Sequence, residues 1–294
     1  FLSAVSNFYF FYMLVLITVL YVIFRVLALY NIKNIKDAIN AIIHIFVSSV
    51  AGVCLSATIL IPVILLLLDT ERSKVKRTFD LFYDNEYFSN LLKGFLSSHF
   101  IGKHAVLCYA SIVLISVVIL FFKKEHYSLK IGVLLFTAFL CMPFMGHVFN
   151  GFSYTSNRWV FAYGMLIAFT VVTVMQDMEE IHLPSLIASG IVLILYVIKT
   201  NDPGTNIIEK SIQVAIFIGL LQISILVIYR AINKFFSINE KSRKMFSQIV
   251  SIMILMLVLI NIGNNGNVYF GEKSQNISRE FKAFSETNMG KDAS

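Results

Sequence analysis

Eight apolar stretches, near residues 8–30, 39–68, 105–122, 129–148, 158–175, 183–200, 211–230 and 247–265, dominate this chain. Each approaches the roughly 20 residues that an α-helix needs to cross the hydrocarbon core of a bilayer. In lipid a backbone must satisfy its own N–H and C=O groups, and a helix does so within a single segment. The expected fold is therefore all-α, a polytopic bundle of about eight transmembrane helices. Composition excludes a soluble alternative, because 57% hydrophobic residues, 14% charged residues and a mean hydropathy of +0.78 exceed what a water-soluble core uses.

Short loops rich in Lys and Arg collect on the cytoplasmic side. Lys33 and Lys36 lie in the first connection, Lys123, Lys124 and Lys130 in the third, and Lys234, Lys241, Arg243 and Lys244 in the seventh. Alternate connections are thus expected to face the cytoplasm, which puts both ends of the chain outside. The outer face then carries the loop 69–104, the run Asn150–Trp159, the link 201–209 and the tail after Asn264. The net charge of +7 belongs mostly to the inner loops, where anionic headgroups attract it, and implies membrane lipid rather than nucleic acid as partner.

Cys54, Cys108 and Cys141 fall in or beside the spans without C-x-x-C spacing, and the six histidines are scattered singly, so no metal site is expected. The chain opens at Phe1 rather than Met, directly before its first span, and ends at Ser294 shortly after an outer segment with balanced charge. It is expected to be an internal piece of a longer protein. The expected organisation is a transmembrane domain over 1–265 and the start of an extracytoplasmic segment over 266–294.

Within the outer loop, Phe88, Leu91, Leu92 and Phe95 recur at helical spacing, with Asn90, Lys93 and Ser97 turned elsewhere. The spacing predicts a short helix lying at the membrane surface, with Asp84 or Asn85 at its start. Arg72, Lys74, Lys76 and Arg77 precede it. This cluster is either a solvated stretch drawn to anionic phospholipid or a lipid-phosphate site. In the second reading Arg72 is the specific ligand, because its stem can stay in the interface while the guanidinium meets a phosphate bidentately. Asp69, Asp80, Asp84 and Glu86 lie on the same side, where capping and ion pairing explain them as well as a general-base role does.

The run Asn150-Gly-Phe-Ser-Tyr-Thr-Ser-Asn-Arg-Trp159 is a polar segment between two apolar ones. Its side chains are costly in hydrocarbon, so they must meet water, protein or a polar ligand. Pro143 and Gly146 loosen the preceding helix, and Gly151 permits a tight turn. In one reading Asn150 and Asn157 hold sugar hydroxyls, Phe152, Tyr154 and Trp159 offer flat faces to a sugar or prenyl chain, and Arg158 holds a phosphate. In the other, the aromatics form an interfacial belt, Arg158 snorkels and the asparagines tie down the turn. His147 reads as a packed interface histidine.

The string N-G-F-S-Y-T-S-N-R-W-V-F-A-Y from Asn150 to Tyr163, with the opening S-N-F-Y-F-F-Y-M from Ser6 to Met13, resembles the YfhO family of large bacterial membrane proteins. The resemblance covers essentially the whole chain. It implies a membrane-embedded glycosyltransferase of the GT-C class in the bacterial cell membrane, transferring a sugar from a polyprenyl-phosphate carrier to a wall polymer such as lipoteichoic acid. Its donor would be the lipid-linked sugar, with no separate cofactor. A cytoplasmic-side enzyme that charges the carrier and a small flippase would be its partners. In that class a catalytic acid in the first outer loop deprotonates the acceptor hydroxyl for an inverting attack at the anomeric carbon. That acid is expected upstream of Phe1, so the isolated segment is expected to be inert.

Two other classes fit part of the pattern. A carrier or flippase for a lipid-linked sugar would place polar groups near the middle of its spans, whereas here they crowd the outer ends. A non-enzymatic scaffold for wall assembly would need neither. Transport in vesicles would favour the first of these, and product formation by the full protein would favour the transferase.

Overall fold

A computed structural model describes residues 1–29, 35–68, 80–98, 107–152, 154–201, 209–235 and 239–285. Among these residues the chain is helical, without strands: α1 (Leu2–Ser6), α2 (Phe8–Leu29), α3 (Ile35–Leu68), α4 (Asn85–Lys93), α5 (Ser111–Phe122), α6 (Tyr127–Leu140), α7 (Pro143–Phe149), α8 (Val160–Gln176), α9 (Leu183–Thr200), α10 (Lys210–Phe235) and α11 (Glu240–Ser285). Two compact units form, Phe1–Asp84 with Glu125–Leu166, and Asn85–Lys124 with Ile167–Ser294.

Every expected span contains a helix, yet among the described residues only five helices are long and apolar enough to cross a membrane, or six if α6 and α7 count as one bent span. The expected count of eight is therefore not reached among the described residues. Residues 107–110 are not helical, and α5 has 12 residues, about 18 Å against a hydrocarbon core of about 30 Å. The run 129–148 is broken, with α6 and α7 meeting at 99°. Pro143 is the first residue of α7, a position where its missing N–H costs nothing. The long helix α11 passes through the boundary expected near 265 and continues to Ser285.

The first unit is built on α2, which contacts α3, α6 and α7, while α1 lies against α2 and α3. Asn7 starts α2, its Oδ1 accepting from the backbone N–H of Tyr9 at 3.0 Å and of Phe10 at 3.3 Å. Phe46, Leu55 and Leu66 of α3 are more than half exposed, as expected of a helix facing acyl chains. Its hydroxyls are satisfied locally, Ser49 donating to the Ile45 carbonyl and Ser56 to that of Val53.

In the second unit α10 packs on α5, α9 and α11. Connections that alternate along the chain share an end of this unit. At one end, Lys123 pairs with Asp177 at 2.7 Å, Arg243 lies 3.9 Å from Glu179, and Arg230 donates to the Ile181 carbonyl. At the other end, Asn265 donates to the Leu96 carbonyl at 3.1 Å, Ser98 donates to the Asn265 carbonyl, and Ser97 donates to Glu209 at 3.0 Å. The expected short helix is α4, but it docks rather than simply floating at an interface. Tyr87 is buried, Tyr196 of α9 donates to the Leu92 carbonyl at 2.7 Å, and Leu96 joins a core with Tyr196, Ile212 and Ala215. The helix stops at Lys93, so Ser97 leaves its helical phase and is buried instead of turned away.

Glu209 caps α10. Its carboxylate accepts from Ser211, from Ser97 and from the Ile212 backbone N–H at 3.1 Å. Burial pushes its pKa up, but these donors outweigh it and hold the group below the ordinary 4.5. A depressed carboxyl stabilises the fold above its unfolded value and loses that contribution as the pH falls through the folded one. The melting-temperature advantage of wild type over Glu209→Gln should therefore be full above pH 4.5 and shrink below it. A constant difference from neutral to acid pH would show that Glu209 does not act through its charge.

Candidate functional site

The polar run lies in the first unit and begins as a helix end. Asn150 follows the last residue of α7, Gly151 has φ of +60° and Phe152 +55°. The Phe152 N–H reaches the His147 carbonyl at 2.8 Å and the Gly151 N–H the Val148 carbonyl at 3.4 Å. This is the paired closure of a Schellman motif, with glycine at the left-handed position where a Cβ is penalised. The chain then turns back so closely that a Cβ on Gly146 would stand 2.9 Å from Asn157 Oδ1 and 3.0 Å from Thr155 Cγ2. Gly146 is thus a close-approach glycine.

Asn150 and Asn157 are each 3% exposed, and each side chain holds two partners inside the unit. Tyr9 of α2 donates to Asn150 Oδ1, and Asn150 Nδ2 donates to the Tyr154 carbonyl at 2.7 Å. Trp159 Nε1 donates to Asn157 Oδ1 at 3.2 Å, and Asn157 Nδ2 donates to the Tyr83 hydroxyl at 3.1 Å. These bonds tie the turn to the rest of the unit. His147 is buried, with Nε2 2.7 Å from Thr155 Oγ1. Trp159 is fully buried among Phe136, Phe139 and Phe149.

Facing outward are a cation beside the Tyr9 ring and two exposed aromatic residues. Arg158 is exposed, its guanidinium carbon 5.2 Å from the centre of the Tyr9 ring. Tyr154 and Phe152 are 45% and 52% exposed. Burial pushes the Tyr83 phenol up to about 12, against the lowering effect of its bond to Asn157, so it remains a neutral hydroxyl. Such an arrangement can stack a flat or apolar ligand and present donors to an anion.

The sequence profile of the family described as bacterial membrane protein YfhO matches residues 1–292. The chain belongs to the YfhO family. No curated protein and no solved structure matches it. The two strings that carry the YfhO resemblance turn out to be neighbours in space. Tyr9 meets Asn150 and Arg158, Tyr12 donates to the Val148 carbonyl at 3.0 Å, and Phe10 lies 6.1 Å from Phe161.

Of the residues singled out in this YfhO chain, Asn150, Tyr154, Asn157 and Arg158 come together, two buried and two exposed. Arg72, Asp69, Lys74, Lys76 and Arg77 lie outside the described residues. Asp84 precedes α4, and Glu86 lies in its first turn. Sequence reasoning missed Tyr9, Tyr12 and Tyr83 as parts of the site. Two of these tyrosines sit in the opening string, whose polar hydroxyls inside an apolar span were the available signal.

Proposed function

We propose that this chain is the membrane part of a glycosyltransferase of GT-C type, which moves a sugar from a polyprenyl-phosphate carrier to a wall polymer such as lipoteichoic acid on the outer face. Membership of the YfhO family supports the membrane transferase class. The observation that carries the reading further is the exposed Arg158 guanidinium beside the Tyr9 ring, on a turn fixed from within by Asn150 and Asn157. A polyprenyl-phosphate sugar presents an anion, a ring and an apolar chain together, the three features such a surface complements. Arg72, assigned from its sequence position, is the second phosphate ligand in this reading.

Reconstitution of the complete protein with a radiolabelled polyprenyl-phosphate sugar and acceptor polymer tests it. Label appearing in polymer on the face that carries Arg158 is the expected result. One observation favours a carrier instead: Gln222, midway along α10, is fully buried and accepts from Ser111 at 3.1 Å, a polar group deep in a span. Movement of labelled lipid across vesicles without product would select that reading and remove the transferase.

A further inference from the structure

We propose that the second unit holds an anion site, separate from the Arg158 surface, that takes the phosphate of a membrane-lipid headgroup. A cavity of about 250 Å³ opens where α10 ends and α11 begins, beside the turn after α8. That is below the ~300–1,000 Å³ of pockets that enclose drug-sized ligands, so it suits a headgroup and leaves the rest of the molecule outside. Its lining includes Arg230, Lys234 and Arg243 from the two helices and a single carboxylate, Glu179.

The balance of charge favours an anion, and the single opposing carboxylate does not cancel it. Arg243 and Glu179 are 3.9 Å apart with side chains 44% and 52% exposed, a pair that water and salt largely screen. Arg230 is steadied by its bond to the Ile181 carbonyl, which fixes the guanidinium at the wall of the cavity. An array of cations held on helix ends loses less freedom on binding than the same charges on a loop.

A second observation points to a ligand. Tyr229 lines the cavity and is 1% exposed, yet its hydroxyl is buried with no hydrogen-bond partner among the described residues. Its ring is held by stacking on Phe246, with centroids 5.4 Å apart. Burying a hydroxyl unpaired is unfavourable, and a phosphate oxygen in the cavity supplies the missing acceptor. Asn233 lines the same space with its Oδ1 also unpartnered among the described residues, and the opposite amide orientation presents its donors.

The margin of the cavity selects the source of the phosphate. Phe235, next in sequence to Lys234, and Met245, two residues beyond Arg243, are 77% and 59% exposed, and the helices they belong to are candidate spans. A soluble anion gains nothing from such apolar surface, whereas a lipid places its chains there. The Lys and Arg pattern also assigns this end to the cytoplasmic leaflet, where anionic lipid concentrates.

Native mass spectrometry of the full chain, released from nanodiscs containing phosphatidylglycerol or phosphatidylcholine, tests the site. Lys234→Gln combined with Arg243→Gln should weaken phosphatidylglycerol binding about tenfold. Tyr229→Phe, which keeps the stacking ring, should weaken it about fivefold without lowering the melting temperature. Lys241→Gln with Lys244→Gln removes equal charge outside the cavity and should change binding by less than about twofold. Millimolar inorganic phosphate failing to displace the lipid supports a headgroup as the source, while displacement supports the same site with a soluble phosphate compound as its ligand. Equal loss in the two charge pairs, or unchanged binding in both cavity variants, overturns the proposal.

Discussion

Trp159→Ala is expected to destabilise the first unit by about 3–5 kcal/mol, the range for deleting a large aromatic from a packed core. Trp159 is the chain's sole tryptophan and is fully buried. Its ring stacks on Phe149 at 5.0 Å, with Phe136 and Phe139 at 5.8 and 6.2 Å. Lipid tails are as apolar as these rings, so transfer from water contributes little next to the lost close packing and the cavity left behind. A polar term adds to this. Without the indole N–H, the hydrogen bond from Trp159 to the buried Asn157 Oδ1 is lost, at a cost of about 0.5–1.5 kcal/mol. Circular dichroism in detergent, followed through heating, reads the loss. Trp159→Phe keeps most of the ring contact and should cost less, about 0.5–1.5 kcal/mol for the lost hydrogen bond. If Trp159→Ala melts with wild type, the aromatic cluster is not what holds the turn.

The apolar spans were legible because lipid imposes one rule, internal backbone pairing over a fixed thickness, that shows as a length of oily sequence. That rule says nothing of a break between two apolar pieces. Residues 129–148 read as one span since hydropathy does not register direction, and Pro143 signals a boundary or a kink equally well. The 99° turn before α7 is a direction that hydropathy does not display. Likewise the helical phase of Phe88, Leu91 and Leu92 was readable, but Ser97 lies past the end of α4 and obeys the fold of the next segment.

The candidate site was half legible for a related reason. Asn150-Gly151 announces a helix end through local backbone chemistry, and the Schellman closure occurs where that predicts. The partners that decide what the asparagines do are remote in sequence, Tyr9 for Asn150 and Tyr83 for Asn157. Pairings over such separations carry no periodic signature. The exposed or buried fate of neighbours such as Asn157 and Arg158 therefore had to come from the fold.

Replacing Arg158 with Gln in the complete protein should lower sugar transfer from a polyprenyl-phosphate donor about 10- to 100-fold. A hydrogen bond to a charged group contributes ~1.5–3 kcal/mol, and each ~1.4 kcal/mol is a factor of ten. Arg158 is suited to that bond because its guanidinium is exposed and lies 5.2 Å from the Tyr9 ring centre. Tyr9 in turn is fixed by Asn150. Arg158→Lys keeps the charge but loses the planar fork and should fall between the two. The kinetic split then separates two roles. A rise in KM with kcat unchanged means that Arg158 grips the phosphate equally before and during transfer, whereas a fall in kcat means that it meets charge developing on the departing phosphate. A snorkelling arginine predicts something different. Its loss would leave both constants and donor affinity alone, because a guanidinium that only reaches the interface meets headgroups that Gln also tolerates. Tyr9→Phe makes the distinction sharper: it preserves the ring under Arg158 while removing the donor to Asn150 Oδ1, so transfer should fall only if the orientation of the turn, and not merely its charge, sets where the phosphate sits.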